Sequence, residues 1–200
     1  MSDPIVHPGA DIAAGAQLEP DVVVWNGAVV REQARVGRGS TLGRGAYIDR
    51  DVTIGPNCKV QDAARIYGPA AVAAGVFVGP GAILANDRYP RAVNPDGTKK
   101  SASDWHAQGV TVGEGASVGA GAVVLGGVSL GRWSMVAASA VVTKDVLDFA
   151  LVAGNPARRR GWVGRHGTPL FEESAGRWLC RVSGAAYLEA DGVLVELAQI

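Results

Sequence analysis

An all-β fold, a parallel β-helix of six-residue repeats, is what this sequence predicts, on three observations. First, stepping by six from Val6 gives Ile12, Leu18, Val24, Val30, Val36, Leu42, Ile48, Ile54, Val60, Ile66, Val72, Val78 and Leu84, every one of them Val, Ile or Leu. Second, a small or modest side chain stands two residues before most of these, as at Ala28, Ala34, Ser40, Ala46, Cys58 and Ala64. Third, after an interruption the beat resumes at Val112, Val118, Val124, Leu130, Val136 and Val142. Neither the helical period of 3.6 nor simple alternation predicts such spacing. A period of six suits a β-helix in which each hexad supplies one short strand and one turn. Three hexads close a triangular coil, with the branched residue inward and the small one in the corner. Coils stacked at roughly 4.8 Å make about seven of them a prism ~30 Å tall.

In chain order, residues 1–160 form this β-helix, broken by a loop at 85–109 whose irregular part is about 86–108. GRGSTLG at 37–43 mimics a phosphate-cradling glycine loop, but it lies in mid-repeat with no helix after it. Cys58 occupies a small-residue corner and reads as buried packing, and His7 and Asn26 read as turn residues. From residue 161 to 200 the beat is gone. WLCRVSGAAYLEADGVLVEL alternates about Asp191-Gly192, the pattern of a β-hairpin.

Composition narrows the function classes. Nineteen acidic and nineteen basic side chains cancel, giving no electrostatic case for nucleic acid or an anionic membrane. Gly115–Gly131 is uncharged, but its glycines and serines sit at regular intervals, which a membrane helix does not require. The N-terminus carries Asp3, Asp11 and Glu19, unlike a signal peptide. Two cysteines make no disulfide framework. A cytoplasmic protein is the expectation.

On the repeat together with VQDAARIYGPAAVAAGVFVGPGAIL, NDRYPR, AVVTKDV and GNPARRRGW, the chain resembles the hexapeptide-repeat acyltransferases. Their fold is a left-handed parallel β-helix. Within them it is most similar to bacterial UDP-2-acetamido-3-amino-2,3-dideoxyglucuronate N-acetyltransferases and related enzymes acting on nucleotide-linked amino sugars. The resemblance spans about Val6 to Trp162. It implies acetyl-CoA as co-substrate, a UDP- or dTDP-linked amino sugar as acceptor, and a homotrimer with active sites between subunits.

The loop is where that chemistry belongs, since long loops in compact repeats tend to be functional. Acyl transfer from a thioester to an amine needs a neutral amine, a close carbonyl and donors for the oxyanion. By resemblance, Asn86 lies at the reacting amine, accepting a hydrogen bond from it or donating to developing charge; an asparagine chosen for the turn is the plainer reading. His106 is the rival, either a general base suited to neutral pH or a wall residue six before Val112. Asp87 reads as structural or substrate-orienting. Arg88 and Arg91 present guanidinium forks for a carboxylate or phosphate, or are solvated surface.

The resemblance assigns Gln61, Asp62 and Tyr67 to the sugar, although asparagine is the commoner residue where Asp62 stands. It assigns Ala137 and Ala138 to close passage of pantetheine, and Asn155, Pro156 and Ala157 to a turn beside the carrier. Lys144 and Arg158, with Arg159 and Arg160, are then candidates for coenzyme A phosphates. Some members end in a zinc ribbon. Its ligand places here read Gly164, His166, Cys180 and Ser183, too few for structural zinc, so no metal is expected. The alternatives are an O-acyltransferase using His106 as base, and a non-catalytic β-helix used in assembly.

Overall fold

The computed structural model describes residues 2–198, so Met1, Gln199 and Ile200, at the ends of the two expected segments, lie outside the described residues. Two-residue strands at every hexad stack into three parallel sheets, here faces A, B and C. The register advances by one coil per eighteen residues, with Val6 beside Val24 and Ile12 beside Val30. Face B has seven strands, one per coil.

Within each strand the first residue faces out and the second faces in. Val24, Val30, Val36, Leu42, Ile48, Val60 and Ile66 are thus almost wholly buried, as are the corner residues Ala28, Ala34, Ala46 and Cys58. The first coil is the exception. Among the described residues no coil lies beneath it, and Val6 keeps 44% exposure while Ile12 and Leu18 are half-buried.

The turns explain the glycines. The third residue of nearly every corner sits at positive φ, as in Gly27 (φ 72°) and Gly121 (φ 65°), and glycine adopts this without strain. Asp21, Gln33, Asp51 and Asn57 take the same conformation. GRGSTLG is ordinary repeat: Ser40 is buried, donating to the Gly55 carbonyl and accepting from the Cys58 N–H, both at 2.9 Å.

The loop leaves face B after Ile83–Leu84 and re-enters on face C at Thr111–Val112. It is internally ordered. Val93 bridges Lys99, Asp96 accepts from the Thr98 N–H at 2.9 Å, and a short 3-10 turn, Ala102–Asp104, is closed by Asp104 accepting from the Ser101 N–H at 2.6 Å.

Above the seventh coil, Ala150–Gly154 pairs with Met135–Val136 and folds back antiparallel on Ala157–Trp162. The strand Ala157–Trp162 runs across the expected boundary after residue 160. A four-stranded antiparallel sheet follows, and Ala186–Ala190 and Val193–Glu196 form the expected hairpin about Asp191 and Gly192. Trp162, Leu170, Cys180, Tyr187 and Leu194 join the same hydrophobic core as the helix interior. That packing covers the upper end, whose unpaired edge would otherwise be open to pairing with other chains.

Candidate active site

Reading the chain in steps of eighteen back from Asn86 gives Gly68 and Arg50, the residues stacked beneath it on the edge between faces B and C. The Asn86 amide is held there. Its Nδ2 donates to the Gly68 carbonyl at 2.6 Å, and the Asn86 backbone carbonyl accepts from the Gln108 N–H at 2.8 Å, where the loop returns. Gly126, one coil up, must be glycine for this closure, because a Cβ there would meet the Gln108 carbonyl oxygen at 2.8 Å. Among the described residues Oδ1 has no hydrogen-bond partner, so the amide is fixed in orientation with an acceptor to spare.

Asn86 lines a cavity of about 480 Å³ between the prism edge and the loop, shared with Asp49, Arg50, Asp51, Ala102 and Trp105. Asp49 is itself positioned, accepting from the Gly68 N–H at 3.2 Å and from the Tyr47 hydroxyl at 3.1 Å. Sequence reasoning missed Asp49, Arg50 and Trp105. The signal for the first two was the eighteen-residue step, which aligns 49–51 under 67–69 and 85–87.

His106 stands apart. The sequence allowed it to be a wall residue in phase with Val112, and the structure corrects that reading: His106 is exposed. The phase argument fails because the chain rejoins the prism only at Gly109, and Val110 is the first buried residue after the loop. His106 also does not line the Asn86 cavity.

The two loop arginines differ. Arg88 donates to the Thr143 carbonyl at 3.1 Å, tying the loop to a higher coil. Arg91 is exposed and lines a second cavity, about 450 Å³, with Asp87, Lys99 and Lys100. Asp87 accepts from the Tyr89 N–H at 2.9 Å and shapes its own turn.

The sugar-facing candidates do not converge in one protomer. Gln61 and Asp62 lie on the edge between faces A and B, in a cavity of about 250 Å³ with Trp25, Thr41, Gly43 and Arg44. Tyr67 lies beside Tyr47, ring centroids 5.6 Å apart, and shares a hollow on face B with Val29, Gly45 and Arg65. All three stand in the coil next below the loop, rather than about two coils before it.

The carrier candidates do gather at the top. Lys144, Ala157 and Arg158 line a cavity of about 360 Å³ with Asp145, Arg159 and Gly192 of the tail hairpin. Ala137 and Ala138 lie on the A–B edge under the Asn155-Pro156 turn. A side chain at Gly119, one coil lower, would strike the Ala138 backbone nitrogen at 2.5 Å, which keeps this part of the edge smooth.

In the tail, His166 is exposed while Cys180 is buried, its Sγ 3.6 Å from the Thr168 hydroxyl. Among the described residues no three His, Cys, Asp or Glu side chains converge to hold a metal. No helix of the described residues is long and apolar enough to cross a membrane.

Comparison with known proteins gives likenesses to parts of the chain. Residues 109–144 match the model for the bacterial transferase hexapeptide (six repeats). The chain is built of hexapeptide repeats. Among sequence relatives, this hexapeptide-repeat protein is 40% identical over 87 residues to the dTDP-3-amino-3,6-dideoxy-alpha-D-galactopyranose 3-N-acetyltransferase of Aneurinibacillus thermoaerophilus, covering 43% of this chain and 44% of that one. Serine acetyltransferase of Haemophilus influenzae is 37% identical over 87 residues, covering 43% and 32%. The chain thus spans less than half the length of these curated relatives. An N-acyltransferase from Bacillus cereus, solved with dTDP and 3-hydroxybutyryl-CoA, shares the fold with a TM-score of 0.51 at 16% identity, over 82% of this chain and 81% of that one.

Proposed function

We propose that this hexapeptide-repeat protein is an acetyl-CoA-dependent N-acetyltransferase of a nucleotide-linked amino sugar, working as a homotrimer with active sites between subunits. One observation carries the reading. The candidate residues are divided between the two edges that flank face B, with Gln61, Asp62, Ala137 and Ala138 on one and Asn86 on the other. In a threefold arrangement of prisms with face B turned to the axis, the A–B edge of each subunit meets the B–C edge of its neighbour. The outward residues of face B suit burial, for they include Val29, Tyr47, Ile83, Val123 and Val141. Face C presents Gln17, Arg35, Thr53, Thr111 and Ser129 instead.

Along the A–B edge the nucleotide sugar then lies low, against Gln61 and Asp62. The carrier lies high, past Ala137 and Ala138, with its phosphates toward Lys144 and Arg158 and with Asn155, Pro156 and Ala157 beside it. The two reactants meet near the level of Asn86 of the adjoining subunit. Asn86 Oδ1 accepts a hydrogen bond from the amine N–H and so aims the nitrogen lone pair of the amine at the thioester carbon. The C–N bond forms, the C–S bond breaks, and the amine proton leaves with the thiolate or through water, since an amide cannot take it. The acceptor named for the Aneurinibacillus relative, a dTDP-linked amino sugar, supports this class of substrate. A cytoplasmic location accords with substrates of this kind.

A second reading, O-acetylation of a hydroxyl such as that of serine, draws on the serine acetyltransferase likeness and needs His106 as base. Thiol release from acetyl-CoA, followed with UDP-, dTDP- and GDP-amino sugars and with L-serine, separates the two. The expected outcome is release with an amino sugar, a fall in kcat of about 10²–10³ in Asn86→Ala, and little change in His106→Ala. Release with serine alone, abolished by His106→Ala, would install the second reading. No release with any acceptor and no binding of coenzyme A would leave only an assembly role.

A further inference from the structure

On the A–B edge, the residue that follows each two-residue face-A strand forms a column running up the prism: His7, Trp25, Gly43, Gln61, Gly79, Gly119 and Ala137. The lower two are not independent turn residues, as the sequence suggested for His7. Their rings are stacked, centroids 4.2 Å apart and planes within 7°. The next place is blank. Gly43 has no side chain, and one there would collide with the coil above, its Cβ 2.5 Å from Asp62 Oδ1 and 2.6 Å from the Asp62 backbone nitrogen. The aromatic ladder therefore ends in a gap, floored by Trp25 and walled above by Gln61. This is the 250 Å³ cavity that also contains Thr41, Arg44 and Asp62.

The groups around the gap are uncommitted. Trp25 is 41% exposed. Among the described residues, no hydrogen bond engages the Trp25 indole N–H, the Gln61 amide or the Arg44 guanidinium. Asp62 Oδ1 accepts from the Arg44 N–H at 2.9 Å, which leaves Oδ2 without a partner.

We infer that this gap is the nucleobase subsite, in which the base of a nucleoside diphosphate stacks on Trp25 and continues the His7–Trp25 ladder. A planar ring needs one coil's spacing, and the missing side chain at position 43 provides it. Gln61 meets the edge of the base with one donor and one acceptor. Asp62 Oδ2 accepts from a ribose hydroxyl, and Arg44 faces the diphosphate. A carboxylate at position 62 then serves the ribose and need not face a sugar acid. Trp25 lies three coils below the loop, about 14 Å at the stacking distance, a span that ribose and diphosphate can bridge. The inference rests on the nucleotide-sugar reading above for its ligand class.

Calorimetric titration with UDP, dTDP, GDP, ADP and CDP, without sugar or acyl carrier, tests it apart from catalysis. At least one nucleotide should bind the wild type, and Trp25→Ala should weaken it by about ten- to a hundredfold, the usual worth of base–aromatic stacking. Trp25→Tyr should restore most of the affinity, and in the thiol-release assay the Trp25→Ala defect should appear in KM for the nucleotide sugar. Circular dichroism of each variant checks that it is folded. Equal binding to wild type and Trp25→Ala would overturn the subsite while leaving the transferase reading in place. So would amine acetylation by a protein that binds no nucleotide. Nucleotide binding that depends on Trp25, in a protein releasing thiol with no acceptor, would keep the subsite and remove the transferase reading.

Discussion

Ser40 and Ser134 occupy equivalent corners of the prism, and their hydroxyls fare differently. Ser40 satisfies the Cys58 N–H and the Gly55 carbonyl, while among the described residues the buried Ser134 Oγ has no partner. A buried donor or acceptor left unpaired costs about 1–3 kcal/mol. Ser40→Ala should therefore lower stability by about 1–2 kcal/mol in urea unfolding. Ser134→Ala should leave stability unchanged or raise it by up to about 1 kcal/mol, and equal losses in both variants would contradict this account. From composition the two serines look alike, each replacing an alanine of the beat. Only the packed coil shows which hydroxyl has a carbonyl within reach. Asn86 is a similar case: its place at the loop entrance is legible in the sequence, its clamp by Gly68 and Gln108 is not.

At the scale of elements, the tail is held down by one carboxylate. Glu189 Oε2 accepts from both the Trp162 and Trp178 indoles at 2.9 Å, and Oε1 accepts from Arg159 at 3.2 Å. Burial pushes this carboxyl up, yet the Trp162, Arg159 and Trp178 hydrogen bonds outweigh it and hold the group below its ordinary range. The ion pair itself adds little, since Arg159 is 42% exposed. Glu189→Ala orphans two indole donors and should cost about 2–3 kcal/mol. That is a fall in Tm of about 5–10 °C by calorimetry for a chain of this size.

Cys180 offers a pH test of the same element. Burial raises its thiol, but hydrogen bonds from the Ser183 side chain and backbone, from Thr168 and from the Val182 backbone bring it down to about 7, from an ordinary 9. A depressed acid stabilises the fold above its unfolded value, and the effect fades as pH falls through the folded one. The Tm of the wild type should thus rise relative to Cys180→Ala between pH 7 and pH 9. A constant difference over that range would mean that the thiolate is not favoured. The hairpin about Asp191-Gly192 was readable from alternation and turn residues. The Glu189 hub was not, because Trp162, Trp178 and Glu189 meet only through the docking of the tail on the helix.

For the whole molecule, the decisive quantity is the oligomeric state. Face B carries an outward row of Val29, Tyr47, Ile83, Val123 and Val141, with Asp11 and Arg65 as its two charged members, between the two edges that hold the proposed site. A charge in the upper, apolar part of that row, Ile83, Val123 and Val141, should be costly in the trimer and harmless in a monomer. Ile83→Asp and Val123→Asp are expected to shift the mass measured by light scattering from three copies to one. Acetyl transfer should fall with them, since each site would lose the neighbour's Asn86. A monomeric wild type of full activity would refute intersubunit sites.

The sequence by itself determined the parallel β-helix, the length of its coils, the position of the loop and the hairpin of the tail. It could do so because each rung of a β-helix repeats one local demand, a branched residue inward and a small residue or turn conformer at the corner, every six residues. The tertiary structure alone decided which side chains share a space. Residues eighteen apart become neighbours along an edge, so Asn86 falls above Gly68 and Arg50, while His7 stacks on Trp25. The loop obeys no repeat, and its course, including the exposure of His106, follows from where Gln108 closes on Asn86. Repetition made the scaffold legible, and the proposed chemistry stands where repetition stops or beside a rung that lacks a side chain.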